Sequence, residues 1–156
     1  MMSALPPLLD NVAVLLSLIV AIDATLCTTI IHGVGLSAMF HFVRHQQALG
    51  RTGVRFSTNA IMVTVAVLFA LVAHLVEIAL WALVLQVCGE FHRFATALYH
   101  SAVNYTSLGY GDVVMSPSWK LLGPLETVNG MLLFGVSTAM IFTVIQRVVQ
   151  PAPRDH

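Results

Sequence analysis

Three apolar stretches, each long enough to cross a lipid bilayer, dominate this chain of 156 residues. A helix needs about 20 apolar residues to span the hydrocarbon core. The candidate spans run from about Leu8 to Ile31, from Asn59 to Val87 and from Leu121 to Val149. Charged residues make up only 9% of the chain, and the formal net charge is zero, so composition gives no reason to expect nucleic-acid binding. We therefore predict an all-α, multi-pass membrane protein.

A polar, glycine-containing segment interrupts the apolar sequence between the second and third spans. Residues 91–105 before it form an apolar helix too short to cross, so we predict that this helix is re-entrant. Residues 106–112 then read Thr-Ser-Leu-Gly-Tyr-Gly-Asp, and the two glycines let consecutive backbone carbonyls point the same way. A ring of such carbonyls can replace the water shell of a cation. Irregular backbone is otherwise hard to place at this depth, because lipid offers no hydrogen-bond partners. The segment predicts an ion pathway shared by several chains.

Residues 106–112 resemble the signature of potassium channels, Thr-Val-Gly-Tyr-Gly, which an aspartate often follows. The resemblance covers about residues 58–150, since residues 94–103 are similar to the family's pore helix and residues 128–135 to its inner helix. It implies a re-entrant pore helix with a selectivity filter between the second and third transmembrane helices, and a tetrameric pore, while the apolar first stretch brings the number of transmembrane helices to three. Residues 1–57 would add an N-terminal transmembrane helix with an amphipathic cytoplasmic-side segment, and residues 151–156 a short cytoplasmic tail.

The same resemblance implies roles for the residues in and behind the filter. The backbone carbonyls of Leu108, Gly109 and Tyr110 would face the axis of the pore, and Thr106 and Ser107 would lie at its inner entrance. Asp112 would attract cations at the outer mouth and anchor the filter. Ser107 and Leu108 replace the usual threonine and valine or isoleucine, which changes the packing behind the carbonyls. Tyr99 and His100 stand where many relatives carry bracing tryptophans. The expected K⁺ ligands are Thr106, Ser107, Leu108, Gly109 and Tyr110, and the expected supporting residues are Gly111, Asp112, Tyr99 and His100.

A stripe of residues at three- and four-residue spacing follows the third span. Matching Gly130 as a hinge and the Phe134-Gly135 pair to the family's inner helix places this stripe on the central cavity, although an ordinary helix-packing stripe has the same spacing. Thr138 would then supply a cavity hydroxyl, and the last two residues a constriction near the cytoplasmic mouth. The stripe consists of Met131, Gly135, Thr138, Phe142 and Gln146.

Basic residues predict the orientation of the chain in the membrane. Arg44, Arg51 and Arg55 lie in the first connection, and Arg147 and Arg154 near the end of the chain. Because cytoplasmic loops are enriched in such residues, we place these regions on the cytoplasmic side of a cell (inner) membrane and the N-terminus on the outside. Residues 36–45 read either as a short amphipathic segment at the interface or as the continuation of one long tilted first helix.

Ionisable residues inside the apolar spans predict a buried polar contact. Asp23 and His74 lie at similar depths below the outer surface, so we expect them to meet and to share a proton or charge, with Glu77 nearby on the face of His74. This contact could serve as a structural clamp between the helices or as a pH sensor. A metal site is the third alternative, because His74 and Glu77 are three residues apart. His32, His41 and His45 are expected at the interface rather than as ligands.

Three further expectations concern single residues and function. Glu126 should face the pore helix or a base such as Lys120, and Trp81 and Trp119 should face lipid or the interface. Passive potassium conduction by a homotetramer in the bilayer is the leading hypothesis. The alternatives are a weakly selective monovalent cation channel and a non-conducting accessory membrane subunit. No enzymatic motif is evident, and we expect no cofactor, with K⁺ as the permeating ion.

Overall fold

The computed structural model describes residues 7–49 and 56–149, and within these the chain is entirely helical apart from turns and loops. Four helices follow one another in the order α1 (Pro7–Ala48), α2 (Phe56–Val87), α3 (Phe94–Tyr105) and α4 (Leu122–Val149). Three of them, α1, α2 and α4, are long and apolar enough to cross a membrane. The predicted all-α fold with three spans is therefore confirmed. Arg51, Arg55, Arg154 and the predicted tail at residues 151–156 lie outside the described residues.

The first helix does not end near Ile31. It continues through Gly33 and Gly35 to Ala48, so the long-helix alternative is correct. Its 42 residues extend about 63 Å, roughly twice the thickness of a hydrocarbon core. At Gly35 an added Cβ would lie 3.3 Å from the Cβ of Ala73, so the glycine permits close approach of α1 to α2. Packing against a neighbouring helix thus offsets the low helix propensity of glycine.

The extension of α1 packs on the rest of the protein. Its predicted apolar face is present, and Met39 and Val43 on this face are completely buried. These two side chains pack against apolar side chains of α2 and α4. The cluster comprises Met39, Val43, Met62, Ala66, Met140, Val144 and Val148. The guanidinium of Arg147 also lies over the ring of Phe40, with 5.5 Å between them.

A second apolar cluster surrounds the short helix α3. It joins Ala21 and Ala24 of α1 to Trp81 and Leu85 of α2 and to Tyr105 at the end of α3. Since α3 has 12 residues, it extends only about 18 Å and cannot cross a bilayer. It begins at Phe94, three residues later than predicted, and ends at Tyr105 as predicted. This second cluster holds α3 between α2 and α4, and residues 106–121 lead from α3 to α4.

Candidate ion pathway

The backbone after α3 alternates between two conformations. Ser107, Gly109 and Gly111 have positive φ values of 59°, 57° and 72°, and the residues between them do not. Glycine adopts this left-handed region without a steric penalty, whereas a residue with a side chain seldom does. Ser107 is the one non-glycine residue with positive φ in the described part of the chain. The alternation is why glycines are needed at both positions around Tyr110.

Hydrogen bonds to the end of α3 fix the direction of the first backbone carbonyls in the loop at residues 106–112. The amide of Ser107 donates to the carbonyl of Asn104 at 2.8 Å, and the amides of Leu108 and Gly109 donate to the carbonyl of Val103 at 2.9 and 3.3 Å. In a trans peptide the N–H and the preceding C=O point in opposite directions. The carbonyls of Thr106, Ser107 and Leu108 therefore point away from α3.

These carbonyls point towards an open side of the single chain. All residues from Thr106 to Asp112 are exposed, including 58% of Leu108 and 66% of Tyr110. Lipid offers no hydrogen-bond partners to the exposed backbone of this loop, so the loop requires protein or water beside it. The arrangement leaves room for further copies of the chain at this face.

Two side chains of α3 hold the C-terminal end of the loop at residues 106–112. The hydroxyl of Tyr99 donates a hydrogen bond to Asp112 Oδ2 at 2.8 Å, which raises the pKa of Tyr99. His100 Nδ1 donates to the carbonyl of Val113 at 3.0 Å, and Asn104 Nδ2 lies 2.8 Å from His100 Nε2. Burial lowers the pKa of His100, so the neutral ring is favoured. The structure thus brings the predicted supporting residues Tyr99, His100 and Asp112 together behind the loop.

Helix α4 presses against the end of α3 at a glycine. A Cβ at Gly130 would lie 2.3 Å from the carbonyl oxygen of Tyr105, closer than side-chain contacts allow. One turn earlier, the hydroxyl of Thr127 donates to the carbonyl of Asn104 at 2.9 Å. Gly130 therefore permits close approach between α4 and the residue that precedes the loop, and the hinge that the resemblance implies at this glycine stays a prediction.

Comparison with known proteins agrees with this geometry. A family model described as "Ion channel", which represents a two-transmembrane pore of the potassium-channel type, matches residues 61–147. The match covers α4 almost entirely, α3, the loop at residues 106–112 and most of α2. The chain belongs to the ion channel family. Searches of curated proteins and of solved structures found no match.

The channel's predicted cavity stripe lies on one accessible face of α4. All five of its residues are exposed in the single chain, and Met131 and Phe142 are 60% and 58% exposed. The hydroxyl of Thr138 donates to the carbonyl of Phe134 at 2.8 Å and so remains close to its own helix. The stripe comprises Met131, Gly135, Thr138, Phe142 and Gln146.

The predicted contact between Asp23 and His74 is wrong. Asp23 is exposed on α1, and the hydrogen bonds of His74 within the described residues go to Glu77, Tyr105 and Ser137. His32 takes the place expected for Asp23: it is only 2% exposed, and its Nδ1 lies 2.8 Å from Glu77 Oε1. The residue of α1 that lies level with His74 was predicted correctly only to within two or three helical turns. The sequence also did not determine which face of α1 is turned towards α2. The expected interfacial position of His32 is therefore wrong, whereas His41 and His45 are exposed and their interfacial position stays a prediction.

Trp81 is also buried rather than lipid-facing, so that prediction was wrong. Its Nε1 donates to Asn129 Oδ1 at 3.0 Å, and Thr28 of α1 donates to the same oxygen at 3.0 Å. One amide oxygen of α4 thus joins α1 and α2. Sequence reasoning missed Asn129, although a carboxamide in an apolar span is itself a signal of a buried polar contact.

Glu126 faces the pore helix, as predicted. Its Oε1 forms a short hydrogen bond with Ser101 of α3, whose hydroxyl also lies 2.9 Å from the carbonyl of Ile78. The carboxyl is fully buried, and among the described residues its Oε2 has no hydrogen-bond partner. The contact ties α4 to the middle of α3 and to α2.

Proposed function

We propose that four copies of this chain form a pore that conducts K⁺ passively down its electrochemical gradient. The observation that carries the proposal is the direction of the carbonyls of Thr106, Ser107 and Leu108, set by three amide hydrogen bonds to the end of α3. Repeated around a symmetry axis, these carbonyls and those of Gly109 and Tyr110 would replace the hydration shell of the ion. Uncharged oxygen ligands bind a monovalent cation weakly enough for it to leave.

Membership of the ion channel family supports ion conduction in general, and the filter residues support potassium. The hydrogen bond between Tyr99 and Asp112 gives the filter an outer brace, and the contact between α4 and the carbonyl of Tyr105 gives it an inner one. Asp112 would raise the local cation concentration at the outer mouth. Helix α1 would lie at the periphery, since it packs against α2 and α4.

In the proposed topology, the protein lies in a cell (inner) membrane with its N-terminus outside and its C-terminus on the cytoplasmic side. Arg147 at the last turn of α4 and Arg44 near the end of α1 support it, because basic residues accumulate on the cytoplasmic side. The loop at residues 106–112 then opens outward, and the end of α1 beyond the bilayer lies in the cytoplasm.

A weakly selective cation channel is the second candidate. The observation that favours it is Leu108, whose side chain lacks the β-branching usual in the resembled signature and is 58% exposed in the single chain. Less restricted side chains behind the carbonyls would allow the ring to adapt to smaller ions.

Potassium flux into liposomes containing the purified chain tests the proposal. The test variant is Gly109→Ala, because alanine is strained at a φ of 57°. The matched control is Gly33→Ala, which also has open space for a Cβ but lies inside α1. We expect barium-sensitive flux from the native chain and the control, and at least a tenfold loss in Gly109→Ala, about the effect of 1.4 kcal/mol on a barrier.

Flux that survives Gly109→Ala unchanged would contradict the assigned pathway. No flux from folded, tetrameric native protein would instead favour an accessory subunit. Equal uptake of sodium and potassium in a competition experiment would replace the selective channel with the weakly selective one.

A further inference from the structure

Three buried side chains with metal-binding atoms meet between α1 and α2. His32 belongs to α1, and His74 and Glu77 lie one turn apart on α2. Their exposed fractions are 2%, 6% and 0%, and one ligand atom from each lies within 4.8 Å of the other two. The carboxylate lies between the rings, with 2.8 Å from His32 Nδ1 to Oε1 and 3.1 Å from His74 Nδ1 to Oε2.

The other edge of both rings faces a single hydroxyl. Ser137 Oγ of α4 lies 3.0 Å from His74 Nε2 and 3.2 Å from His32 Nε2. A serine hydroxyl has one proton but two lone pairs. It can therefore donate to one of these nitrogens only, whereas it can accept a hydrogen bond from both.

Counting protons shows what the cluster lacks. If both rings donate from Nδ1 to the carboxylate, both Nε2 atoms are acceptors, and the one proton of Ser137 satisfies only one of them. Tyr105 does not help, because its single proton lies in the short hydrogen bond to Glu77 Oε2. The cluster is satisfied by one additional positive charge near Glu77, which a proton on one of the two rings or a bound metal ion can supply.

A divalent metal ion on the Nδ1 side supplies that charge. Both rings would then be neutral with their protons on Nε2, both would donate to Ser137, and both Nδ1 lone pairs would face the ion with the carboxylate. Metal-bound histidines usually donate their other N–H to a partner that fixes the tautomer. Here one hydroxyl serves both rings, and Tyr105 holds the carboxylate.

We propose that His32, His74 and Glu77 bind one Zn²⁺ per chain. Two imidazoles and one carboxylate form a ligand set known from zinc sites with an open fourth position. Tetrahedral zinc with ligands at about 2.0–2.1 Å separates its ligand atoms by about 3.3 Å. Each imidazole Nδ1 lies 2.8 or 3.1 Å from its nearer carboxylate oxygen, and the three ligand atoms lie within 4.8 Å of one another, so the side chains would adjust around a bound ion. Tyr105 borders the fourth position, with its hydroxyl 3.2 Å from His74 Nδ1.

The site would attach the first helix to the pore. His32 lies outside the segment that matches the family model, whereas His74 and Glu77 lie inside it. Tyr105 is the last residue of α3, directly before the filter, and Ser137 belongs to the pore-facing helix α4. The bound ion would thus fix α1 beside the base of the filter.

Elemental analysis of the full-length protein in nanodiscs tests the site. The protein carries a tag without histidine, is saturated with Zn²⁺ and is then freed of excess metal by gel filtration. We expect about one zinc per chain in the native protein and in the control His41→Gln, which changes an exposed histidine of the same helix. In His32→Gln we expect less than about a fifth of this content, since one of three ligands is lost.

A cobalt titration provides a test that does not depend on ligand variants. Co²⁺ in the native protein should give the intense visible absorption of a tetrahedral ion, and Zn²⁺ should displace it. Ser137→Ala should weaken Co²⁺ binding by about 10- to 100-fold, as expected for a residue that orients ligands. Absence of zinc and of the cobalt spectrum in native protein would overturn the proposal, as would equal zinc content in His32→Gln and His41→Gln. Neither readout depends on conduction, so the site and the proposed function stand or fall separately.

Discussion

Gly130→Ala tests the close contact between α4 and the end of the pore helix. The new Cβ would lie 2.3 Å from the carbonyl oxygen of Tyr105, whereas real Cβ contacts essentially never fall below 3.0 Å. The backbone of one helix must therefore move by at least about 0.7 Å. The Cβ would also lie 3.1 Å from both the carbonyl carbon and Cδ1 of Tyr105, so no flexible side chain can absorb the change.

The expected cost follows from two opposing effects. Overpacking of this kind costs about 1–3 kcal/mol. Alanine is a better helix former than glycine by about 1 kcal/mol, which offsets part of the cost. Gly135→Ala is the matched control on the same helix, because its Cβ would meet nothing within 4 Å. Gly135→Ala should therefore be stabilised by about 0.5–1 kcal/mol, because only the higher helix propensity of alanine acts there.

Thermal unfolding of the purified protein in detergent measures the difference. We expect the Tm of Gly130→Ala to fall below that of the native protein and the Tm of Gly135→Ala to equal or exceed it. Potassium flux should decrease in Gly130→Ala, because the displaced carbonyl belongs to the residue directly before the filter. Equal stability of the two variants would refute the close contact at Gly130. A large loss of stability in Gly135→Ala would show that Gly135 does not face open space.

Two further predictions concern the residues behind the filter. Tyr99→Phe removes the hydrogen bond to Asp112, so bilayer recordings should show a lower ratio of potassium to sodium permeability while the oligomeric state of the protein stays unchanged; an unchanged ratio would exclude this bond as a brace. The pKa of His100 is lowered in the folded protein from 6.5, so the stability that its neutral ring provides is present above about pH 6.5 and is lost as pH falls below that value. The Tm of the native channel should therefore decrease between pH 7.5 and pH 5.5 more steeply than that of His100→Gln, and parallel profiles would contradict this role.

The parts of the fold that the sequence predicts are those with a strong local signal. Long apolar runs predict α2 and α4, because only helices of this length satisfy backbone groups in lipid. The loop from Thr106 to Asp112 stands out because its glycines serve positive φ values at Gly109 and Gly111. The end of α3 at Tyr105 follows from the same loop, since its amides close the helix.

The contacts between α1 and the pore could not be predicted in the same way. Equal depth placed Asp23 opposite His74, but an antiparallel helix pair can slide and rotate without changing its hydropathy. The close approach at Gly35 and the burial of Val43 set the position of α1, and both depend on tertiary packing. They bring His32 to Glu77.

The burial of Trp81 was missed for a related reason. A tryptophan near the end of an apolar span is typical of the lipid interface, and its own sequence does not reveal a partner. The acceptor is Asn129, which lies 48 residues later on α4. Only the three-dimensional arrangement of α2 and α4 shows that this carboxamide serves both Trp81 and Thr28.

A cryo-electron microscopy structure of the purified protein in potassium chloride tests the central claim most directly. We expect four copies around one axis, with ion density between the carbonyls of residues 106–110 and with these carbonyls facing the axis. A monomer, or a loop whose carbonyls face away from any shared axis, would contradict it.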